Sequence, residues 1–299
     1  MTDRKTILVT GARGLIGSAL VRRLRADGRY NVVEGTREWC DVTKPLQGNQ
    51  VYHYIIHCAS NAAPKAFAET PVEVMMSNIM GVKNLLDYGR THHMERFLFV
   101  STGEVYGEGD GRTFTEDYCE GYLNTLSPRS CYPSSKRAAE TLCAAYAQEY
   151  GTDFVIARPC HVYGPGFTDS DNRVYAQFIR NVRRGEDIIM KSTGQQMRSW
   201  CYVDDCVSAL LIILERGKSG EAYNIADDSS VVTIRQLAEM IAEAAGRHVV
   251  MQLPSDAERA GYNPVQHSVF STEKLRALGW HIEGTMKEKI SLCLNDSGK

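Results

Sequence analysis

The amino-acid sequence predicts an α/β protein with a doubly wound parallel sheet and a smaller C-terminal lobe. Two observations carry this prediction. Apolar runs without polar alternation, such as residues 54–60 and 97–102, have the composition of strands that are buried on both faces. Segments whose apolar residues recur at helical spacing lie between these runs. Such alternation is typical of parallel strands joined by helices that cover both faces of the sheet.

The composition and charge are those of an ordinary globular protein. The chain has 299 residues, of which 43% are hydrophobic and 23% are charged, and its net charge is −2. A charge this small does not favour nucleic acid as a partner. The most apolar run, residues 207–214, is far shorter than the roughly 18 apolar residues of a membrane span. Because the first predicted strand follows Met1 so closely, we expect no signal peptide, no membrane partner and a cytoplasmic protein.

The cysteines predict neither a disulfide framework nor a metal site. There are nine of them, which is an odd number, and no Cys-x-x-Cys pair occurs. We therefore expect reduced thiols in a cytosolic protein and no bound metal.

The first strand leads into a glycine turn of the kind that binds phosphates. Residues 7–9 are apolar, Gly11, Gly14 and Gly17 follow, and apolar residues then recur at helical spacing. The glycines permit a tight turn, a close approach of the backbone to a pyrophosphate, and close packing of helix on strand. The helix N-terminus offers free N–H groups to the phosphates. A glycine turn alone also serves as a simple tight connection, so the rest of the chain decides whether this is a Rossmann-type cofactor site.

The end of the second predicted strand favours NADP over NAD. NAD sites usually have Asp or Glu at this point to hold the ribose 2′-hydroxyl. Here the strand ends in Thr36 and Arg37, and a guanidinium beside a hydroxyl suits a 2′-phosphate, although Glu34 is near enough in sequence to serve the ribose. Asp41 and Val42 come next, and we expect them at the adenine edge.

Two of the following strands end in small residues or hydroxyls. The strand at 54–60 ends in Cys58, Ala59 and Ser60, and the strand at 97–102 ends in Ser101 and Thr102. Small residues at the carboxyl ends of parallel strands leave space for a ligand in the crevice above the sheet. Helices predicted at 71–88 and 135–150 and a strand predicted at 154–159 complete this half of the chain.

The pattern loosens after residue 160, which predicts a second lobe. Residues 161–171 are rich in Gly, Pro and Asp and predict a loop. Helices are predicted at 174–184, 204–215, 234–245 and 272–278, with strands inside 187–198 and at 222–225. We therefore predict a dinucleotide-binding domain over 1–160, whose sheet is rejoined by about 200–226, and a substrate-binding lobe over 161–199 and 227–299.

Tyr132 and Lys136 have the spacing of an acid–base pair. Residues four apart on a helix share one face, and Pro133 fits the first turn of a helix, where its missing N–H costs little. An ammonium beside a phenol favours the phenolate and is expected to lower the tyrosine pKa from about 10 towards neutrality. Such a tyrosine exchanges a proton with a sugar hydroxyl near pH 7. Most isolated matches to this spacing are chance surface pairs.

Further candidate catalytic residues stand at the end of the strand 97–102, and candidate substrate-binding residues stand in the predicted second lobe. Thr102 is placed to hydrogen-bond the hydroxyl being oxidised. Glu104 is a carboxylate at the crevice, where burial is expected to raise its pKa and suit it to acid–base work, unless it is a solvated loop residue. Arg173 and Arg198 are cations suited to a phosphate, although either also reads as a surface charge.

Together these motifs resemble a known family, the extended short-chain dehydrogenases/reductases that act on nucleotide sugars. The resemblance runs from Thr6 to about Ile225, and the Gly-x-x-Gly-x-x-Gly spacing is the one this family uses. The matching positions are the glycine turn, Asn78, Ser101, Thr102, Tyr132, Lys136, Arg158, Pro159, the run 162–165, Arg198, Trp200, Tyr202 and Asp205. So many matches in order make the chance reading of the Tyr132–Lys136 pair untenable.

The resemblance implies the roles of the site residues. In such enzymes Tyr is the base, Lys holds both the Tyr and the nicotinamide ribose, and a hydride leaves C4 of the sugar, which implies catalytic roles for Tyr132, Lys136, Thr102 and Glu104. It implies cofactor contacts at Gly11, Arg13, Gly14, Leu15, Ile16, Gly17, Thr36, Arg37, Asp41, Val42, Cys58, Ala59, Ser60, Asn78, Ser101, Tyr132, Lys136 and Pro159. It implies substrate contacts at Glu104, His161, Arg173 and Arg198.

Positions 103 and 104 bear on which reaction follows oxidation. In the family, hexose 4-epimerases tend to have a small or hydroxyl residue where Glu104 stands, whereas 4,6-dehydratases and uronate decarboxylases tend to have Glu. Dehydratases resembling the dTDP-glucose enzyme also carry Asp immediately before it, as the acid that expels the C6 hydroxyl, and Gly103 stands here instead. Decarboxylases that make UDP-xylose look closer around residues 128–132 and carry an Arg that matches Arg173, but they use NAD.

The resemblance therefore predicts an NAD(P)-dependent nucleotide-sugar epimerase or dehydratase that works through a 4-keto sugar, and Glu104 also allows a uronate decarboxylase. An NADPH-dependent 4-keto-sugar reductase of the GDP-fucose synthase type is the alternative within the fold. A non-catalytic cofactor-binding protein is the alternative of another class, and the intact Tyr132–Lys136 pair argues against it. His161 replaces the Asn that is usual in the family, which leaves the sugar open. Family members pair through the helices 71–88 and 135–150, so a homodimer is expected.

Overall fold

The computed structural model describes residues 4–167, 171–252 and 265–295, and its centre is a parallel sheet. In the described part of the chain this sheet has six strands in the order β2-β1-β3-β4-β5-β9. Their bounds are β1 Thr6–Thr10, β2 Asn31–Gly35, β3 Tyr54–His57, β4 Arg96–Val100, β5 Phe154–Pro159 and β9 Ala222–Ile225. All neighbouring strands are parallel. The predicted α/β class with a doubly wound parallel sheet is confirmed.

Helices cover both faces of the sheet. They are α1 Leu15–Asp27, α2 Pro64–Glu69, α3 Pro71–Thr91, α4 Cys131–Tyr150 and α6 Val203–Arg216. Alternate residues of β1 point to opposite faces. Ile7 and Val9 therefore belong to the core under α1 and α6, whereas Leu8 belongs to the core under α3 and α4. This division explains why the strands read as continuous apolar runs.

The second lobe is built around strand β8, Met197–Tyr202. It pairs with β6 His161–Tyr163, β10 Asp227–Thr233 and β12 His267–Ser268. A separate parallel pair consists of β7 Ile188–Met190 and β11 Val249–Met251. The helices of this lobe are α5 Val174–Arg183, α7 Ile234–Ala244, α8 Glu273–Arg276 and α9 Met286–Asn295. Among all helices that the structure describes, none is long and apolar enough to cross a membrane.

The prediction of a loop over 161–171 is wrong at its beginning, because His161–Tyr163 forms β6 and pairs in parallel with β8. The glycine and proline that indicated a loop stand after this strand, at Gly164 and Pro165. Residues 168–170, as well as parts of the predicted 1–160 domain and 227–299 lobe, lie outside the described residues. Helix α4 begins at Cys131, not at 135 as predicted, so the Tyr-x-x-x-Lys motif lies wholly on the helix.

Candidate active site

The glycine turn between β1 and α1 fits a dinucleotide. Gly11 has φ +68°, and a Cβ there would lie 2.7 Å from the Ala59 backbone nitrogen. A Cβ at Gly17 would lie 2.1 Å from the Gly11 carbonyl oxygen, so neither position accepts a side chain. Gly14 caps α1 without a side-chain hydrogen bond, which leaves the first-turn N–H groups to a phosphate. The turn therefore offers unobstructed backbone and free N–H groups, which suit a pyrophosphate.

The end of β3 is fastened beside this turn. The Thr10 hydroxyl lies 2.7 Å from His57 Nδ1, and the Ala59 backbone N–H donates to the same hydroxyl oxygen. Residues 58–60 therefore run alongside the glycine turn. Burial raises the pKa of the Cys58 thiol to about 12, although the Lys136 ammonium opposes this.

Asn78 of α3 connects the cofactor side of the crevice to helix α4. Its side-chain oxygen accepts a hydrogen bond from the Ser60 hydroxyl at 2.7 Å, and its side-chain nitrogen donates to the Ser135 hydroxyl at 2.9 Å. Ser135 in turn donates to the Tyr132 carbonyl oxygen at 3.0 Å. Asn78 is fully buried, so its amide holds Ser60 and the first turn of α4 together. The sequence predicted Asn78 as a cofactor contact and missed this bridge.

Tyr132 and Lys136 share one buried face of α4, at the carboxyl end of β4. Lys136 Nζ donates to the Val100 carbonyl oxygen at 2.9 Å and lies 4.6 Å from the Phe99 ring centroid. It lies 5.9 Å from the centroid of the Tyr132 ring. The structure thus brings together the two residues that their spacing paired.

The expectation of a lowered tyrosine pKa is wrong for the chain without ligands. Burial, and then the negative charge of Glu104, raise the pKa of Tyr132 above its ordinary value. A hydrogen bond with Thr102 and the positive charges of Arg173 and Arg129 oppose the rise. Burial also lowers the pKa of Lys136 to about 8. Sequence spacing counted the ammonium but not the loss of solvent around the phenol, which dominates here.

Glu104 is tied to an arginine that sequence reasoning left without a role. Arg129 lies just before α4, and both of its terminal nitrogens are 3.0 Å from a Glu104 carboxylate oxygen. The side chain of Glu104 is 33% exposed, so the expected burial of this carboxyl is not observed. Its backbone N–H donates to the Thr102 hydroxyl at 3.2 Å, which fixes the turn after β4. In the sequence, the one indication of this ion pair was Arg129 within residues 128–132, to which no role was assigned.

The three residues of the second lobe that were predicted as substrate contacts are His161, Arg173 and Arg198, and they interact electrostatically with one another or with Tyr132 and Glu104. Arg173 precedes α5 and is held by Asp171, and its charge acts on both Tyr132 and His161. Arg198 of β8 is 4% exposed, and Glu104 partly offsets the burial that lowers its pKa to about 10. Burial, and then the charge of Arg198, lower the pKa of His161 to about 3, so the imidazole is neutral.

At the end of β2, where the sequence predicts the adenosine, the carboxylates near Arg37 are turned towards other arginines. Glu34 of β2 pairs with Arg25 of α1 at 2.5 Å, and Glu38 pairs with Arg13 of the glycine turn. The Arg37 side chain is exposed. The Asp41 carboxylate accepts hydrogen bonds from the backbone and hydroxyl of Thr43. Glu34 is therefore paired with Arg25 on the helix side.

The remaining predicted cofactor residues take structurally distinct positions. Leu15 belongs to the core, and Ile16 packs partly against it. Val42 lies against α3, where its Cγ2 would be 3.2 Å from a Cβ at Gly81. Ser101 is buried, and its hydroxyl has no hydrogen-bond partner within the described residues. Pro159 ends β5 in the interior.

Position 103 is closed by an aromatic ring from the second lobe. A Cβ at Gly103 would lie 2.3 Å from Cζ and 2.5 Å from Cε1 of Phe270. Phe270 is held by the Ser199 hydroxyl, which accepts from its backbone N–H at 3.1 Å, and its ring packs against Tyr106 and Phe114. The residue before Glu104 is therefore glycine because the ring occupies the space that a side chain would need.

Comparison with known proteins agrees with this geometry. The model of the NAD dependent epimerase/dehydratase family matches residues 7–226. UDP-glucuronic acid decarboxylase 6 of Arabidopsis thaliana is 32% identical over 312 residues, which cover 97% of this chain and 88% of that protein.

Two solved structures resemble the whole chain. UDP-glucose 4-epimerase of Thermus thermophilus in complex with NAD is 28% identical, with a TM-score of 0.78 and coverage of 97% of this chain and 98% of that one. RMD from Pseudomonas aeruginosa complexed with NADPH is 25% identical, with a TM-score of 0.81 and coverage of 98% and 99%. The resemblance drawn from the motifs is confirmed, and the cofactor class is NAD(P).

Proposed function

The chain belongs to the NAD-dependent epimerase/dehydratase family, and we propose that it decarboxylates a nucleotide-linked uronic acid, of the UDP-glucuronic acid type, through a 4-keto sugar. The observation that carries this choice is the contact of Phe270 with Gly103. Removal of the C6 hydroxyl by a 4,6-dehydratase needs an acid beside Glu104, and glycine under a fixed ring cannot supply one. Decarboxylation needs no such acid. In a 4-keto uronate the bond from C5 to the carboxylate breaks, its electron pair moves towards the C4 ketone, carbon dioxide leaves and a proton returns to C5.

Proton transfer at the C4 oxygen of the sugar is the role of Tyr132, assisted by Thr102 and Lys136. A nicotinamide cofactor held at the glycine turn would supply the hydride chemistry at C4 of the sugar. Tyr132 takes the proton of the C4 hydroxyl and later gives it back, and Thr102 hydrogen-bonds the same oxygen. Because burial keeps the phenol protonated in the free chain, nearby positive charge must draw the proton away. The charges of Arg173 and Arg129 act in this direction, the Lys136 ammonium lies 5.9 Å from the ring centroid, and a bound positively charged nicotinamide would add to them.

The second lobe supplies the cations that a charged substrate needs. Arg173 acts electrostatically on Tyr132, and we assign its guanidinium to a carboxylate or phosphate oxygen of the substrate. Arg198 lies deeper and acts on Glu104 and His161. We assign Arg173, Arg198 and neutral His161 to the substrate, with Glu104 steered by Arg129 towards the sugar ring.

We infer that NADP is preferred over NAD. The support is the exposed guanidinium of Arg37 beside Thr36, together with the engagement of Glu34 by Arg25. The same feature favours a second candidate function, an NADPH-dependent 4-keto-sugar reductase that releases its cofactor after one hydride transfer. The structure of RMD with NADPH is a relative that carries this cofactor.

We also infer a cytoplasmic homodimer that pairs through α3 and α4. Val72, Met75 and Met76 of α3 and Tyr150 of α4 are exposed apolar side chains, and a partner copy would cover them. The nine cysteines are free, which suits a reducing compartment. Sedimentation of a monomer alone at micromolar concentration would overturn the dimer.

A substrate panel tests the function. The purified protein with NADP or NAD is offered UDP-glucuronic acid, UDP-glucose, GDP-mannose and dTDP-glucose, and the products are identified by mass spectrometry. We expect carbon dioxide and a UDP-pentose from UDP-glucuronic acid, and a fall in rate of about 10²–10⁴ for Tyr132→Phe. Turnover of a neutral hexose without turnover of the uronic acid would contradict the proposal.

A further inference from the structure

An aromatic side chain outside the predicted site covers the phenol of Tyr132. Phe67 lies on the short helix α2 and is 2% exposed. Its ring stacks on the Tyr132 ring, with centroids 4.8 Å apart and an interplanar angle of 22°. The two residues form a small apolar cluster with Val74 of α3 and Cys131 of α4. This cluster is separate from the two cores that hold the sheet.

The same ring also supports the partner of Glu104. The Arg129 guanidinium carbon lies 4.7 Å from the Phe67 centroid, within the range of a cation–π contact. Arg129 makes both of its short contacts with the Glu104 carboxylate. One ring therefore touches the tyrosine on α4 and the arginine that orients the carboxylate after β4.

The geometry points to Phe67 as a positioning residue that sets the Tyr132 phenol and the Arg129–Glu104 pair in register with each other. This inference rests on the proposed function, since it assigns Phe67 to the same reaction. A flat ring restricts its neighbours more than an aliphatic side chain does, because stacking and cation–π contacts both depend on the ring plane. Phe67 itself touches no reacting atom in this assignment.

The stack also explains the protonation of the free site. By covering one face of the phenol, Phe67 keeps water from it, and loss of solvent is the leading cause of the raised pKa of Tyr132. The same ring that fixes the base thus keeps it protonated until charged ligands arrive. Removing the ring has two separable effects, a loss of orientation and a lower phenol pKa.

The kinetic test compares three variants of phenylalanine. Phe67→Leu removes the ring, Phe67→Tyr keeps its plane, and Phe154→Leu is the matched control, since Phe154 is 3% exposed at the start of β5 and packs in another cluster. We expect Phe67→Leu to lose about 10- to 100-fold in kcat with KM within about twofold, because a misplaced base impairs only the chemical step. Phe67→Tyr should recover most of the rate, and Phe154→Leu should keep it. Equal rates in the two leucine variants would overturn the inference.

A double-mutant cycle tests the register directly. If the Phe67 ring holds Tyr132 and Arg129 as one unit, then Phe67→Leu combined with Arg129→Lys should be slower than the slower single variant by no more than about twofold. Losses in kcat that multiply across the two changes would show that Phe67 and Arg129 act independently, which contradicts the shared register.

A measurement without substrate separates this inference from the proposed function. The chain is labelled with ¹³Cζ-tyrosine, and the resonance of Tyr132 is the one missing from Tyr132→Phe. In the cofactor-free protein this phenol should lose its proton at a lower pH in Phe67→Leu than in the parent or in Phe67→Tyr. If no nucleotide sugar is turned over, the proposed function fails while this titration still decides the stack. An unchanged titration in a folded Phe67→Leu would refute the stack.

Discussion

Gly103→Ala is expected to destabilise the protein because one added methyl group would meet the ring of Phe270. The new Cβ would lie 2.3 Å from Cζ and 2.5 Å from Cε1, whereas ordinary van der Waals contact begins at 3.4 Å. The ring must therefore retreat by about 1 Å in a close-packed interior. Its retreat is opposed by Phe114 and Tyr106, whose ring centroids are 5.5 and 5.7 Å away, and by the hydrogen bond of its backbone N–H to Ser199.

The size of the effect follows from other overpacked cores. Added methyl groups in well-packed interiors typically cost 1–3 kcal/mol, and this restrained ring should place Gly103→Ala at about 2 kcal/mol of unfolding free energy. Phe270→Leu should also destabilise, by about 1–3 kcal/mol, because it leaves part of a cavity. The two changes compensate each other, since the alanine methyl occupies space that the shorter leucine vacates.

Urea unfolding of the parent, both single variants and the double variant measures this compensation. The double variant should be more stable than the sum of the single losses predicts, by about 1 kcal/mol or more. Strict additivity would mean that Phe270 does not close position 103. The choice of decarboxylation over dehydration would then lose its main support.

Two further outcomes follow from charges in the cofactor half. Burial, and then the charge of Lys136, lower the pKa of His57 to about 3 from an ordinary value of 6.5, so below pH 6.5 the unfolded chain binds a proton that the folded chain cannot. The free energy of unfolding should therefore be highest above pH 6.5 and fall as the pH is lowered towards 3, with a loss of about 2 kcal/mol at pH 5. In urea unfolding, His57→Gln should lack this part of the pH dependence. Arg37→Ala should weaken NADP binding about 10-fold and leave NAD binding unchanged in calorimetric titrations, and equal losses for both cofactors would contradict the role of Arg37 at the 2′-phosphate.

The sheet could be predicted from sequence because each strand carries its own signal. Ile7, Leu8 and Val9 are all apolar because alternate residues meet different cores, and such runs identify buried parallel strands. Strand β6 was missed because its three residues precede a segment rich in Gly and Pro. Its partner strand, β8, lies about 40 residues further along the chain. Short strands of this kind are defined by their partner more than by their own residues.

The site was predictable where its chemistry lies within one element. Tyr132 and Lys136 are four residues apart on α4, so helical spacing alone places them on one face. The pairing of Glu104 with Arg129 and the stacking of Phe67 on Tyr132 join different elements, and no local pattern encodes them. The raised pKa of Tyr132 could not be predicted for the same reason, because burial is a property of the assembled fold.

The balance between cofactor and product tests the central claim most directly. The proposed function requires that the hydride removed from C4 is returned within the same catalytic cycle. In a reaction with UDP-glucuronic acid, carbon dioxide release and nicotinamide absorbance at 340 nm are followed together. Carbon dioxide should accumulate over many turnovers, while the ratio of oxidised to reduced cofactor stays unchanged. Net reduction of one NAD(P)+ for each sugar converted would contradict the return of the hydride. Net oxidation of one NADPH for each sugar converted would also contradict it and would favour the reductase.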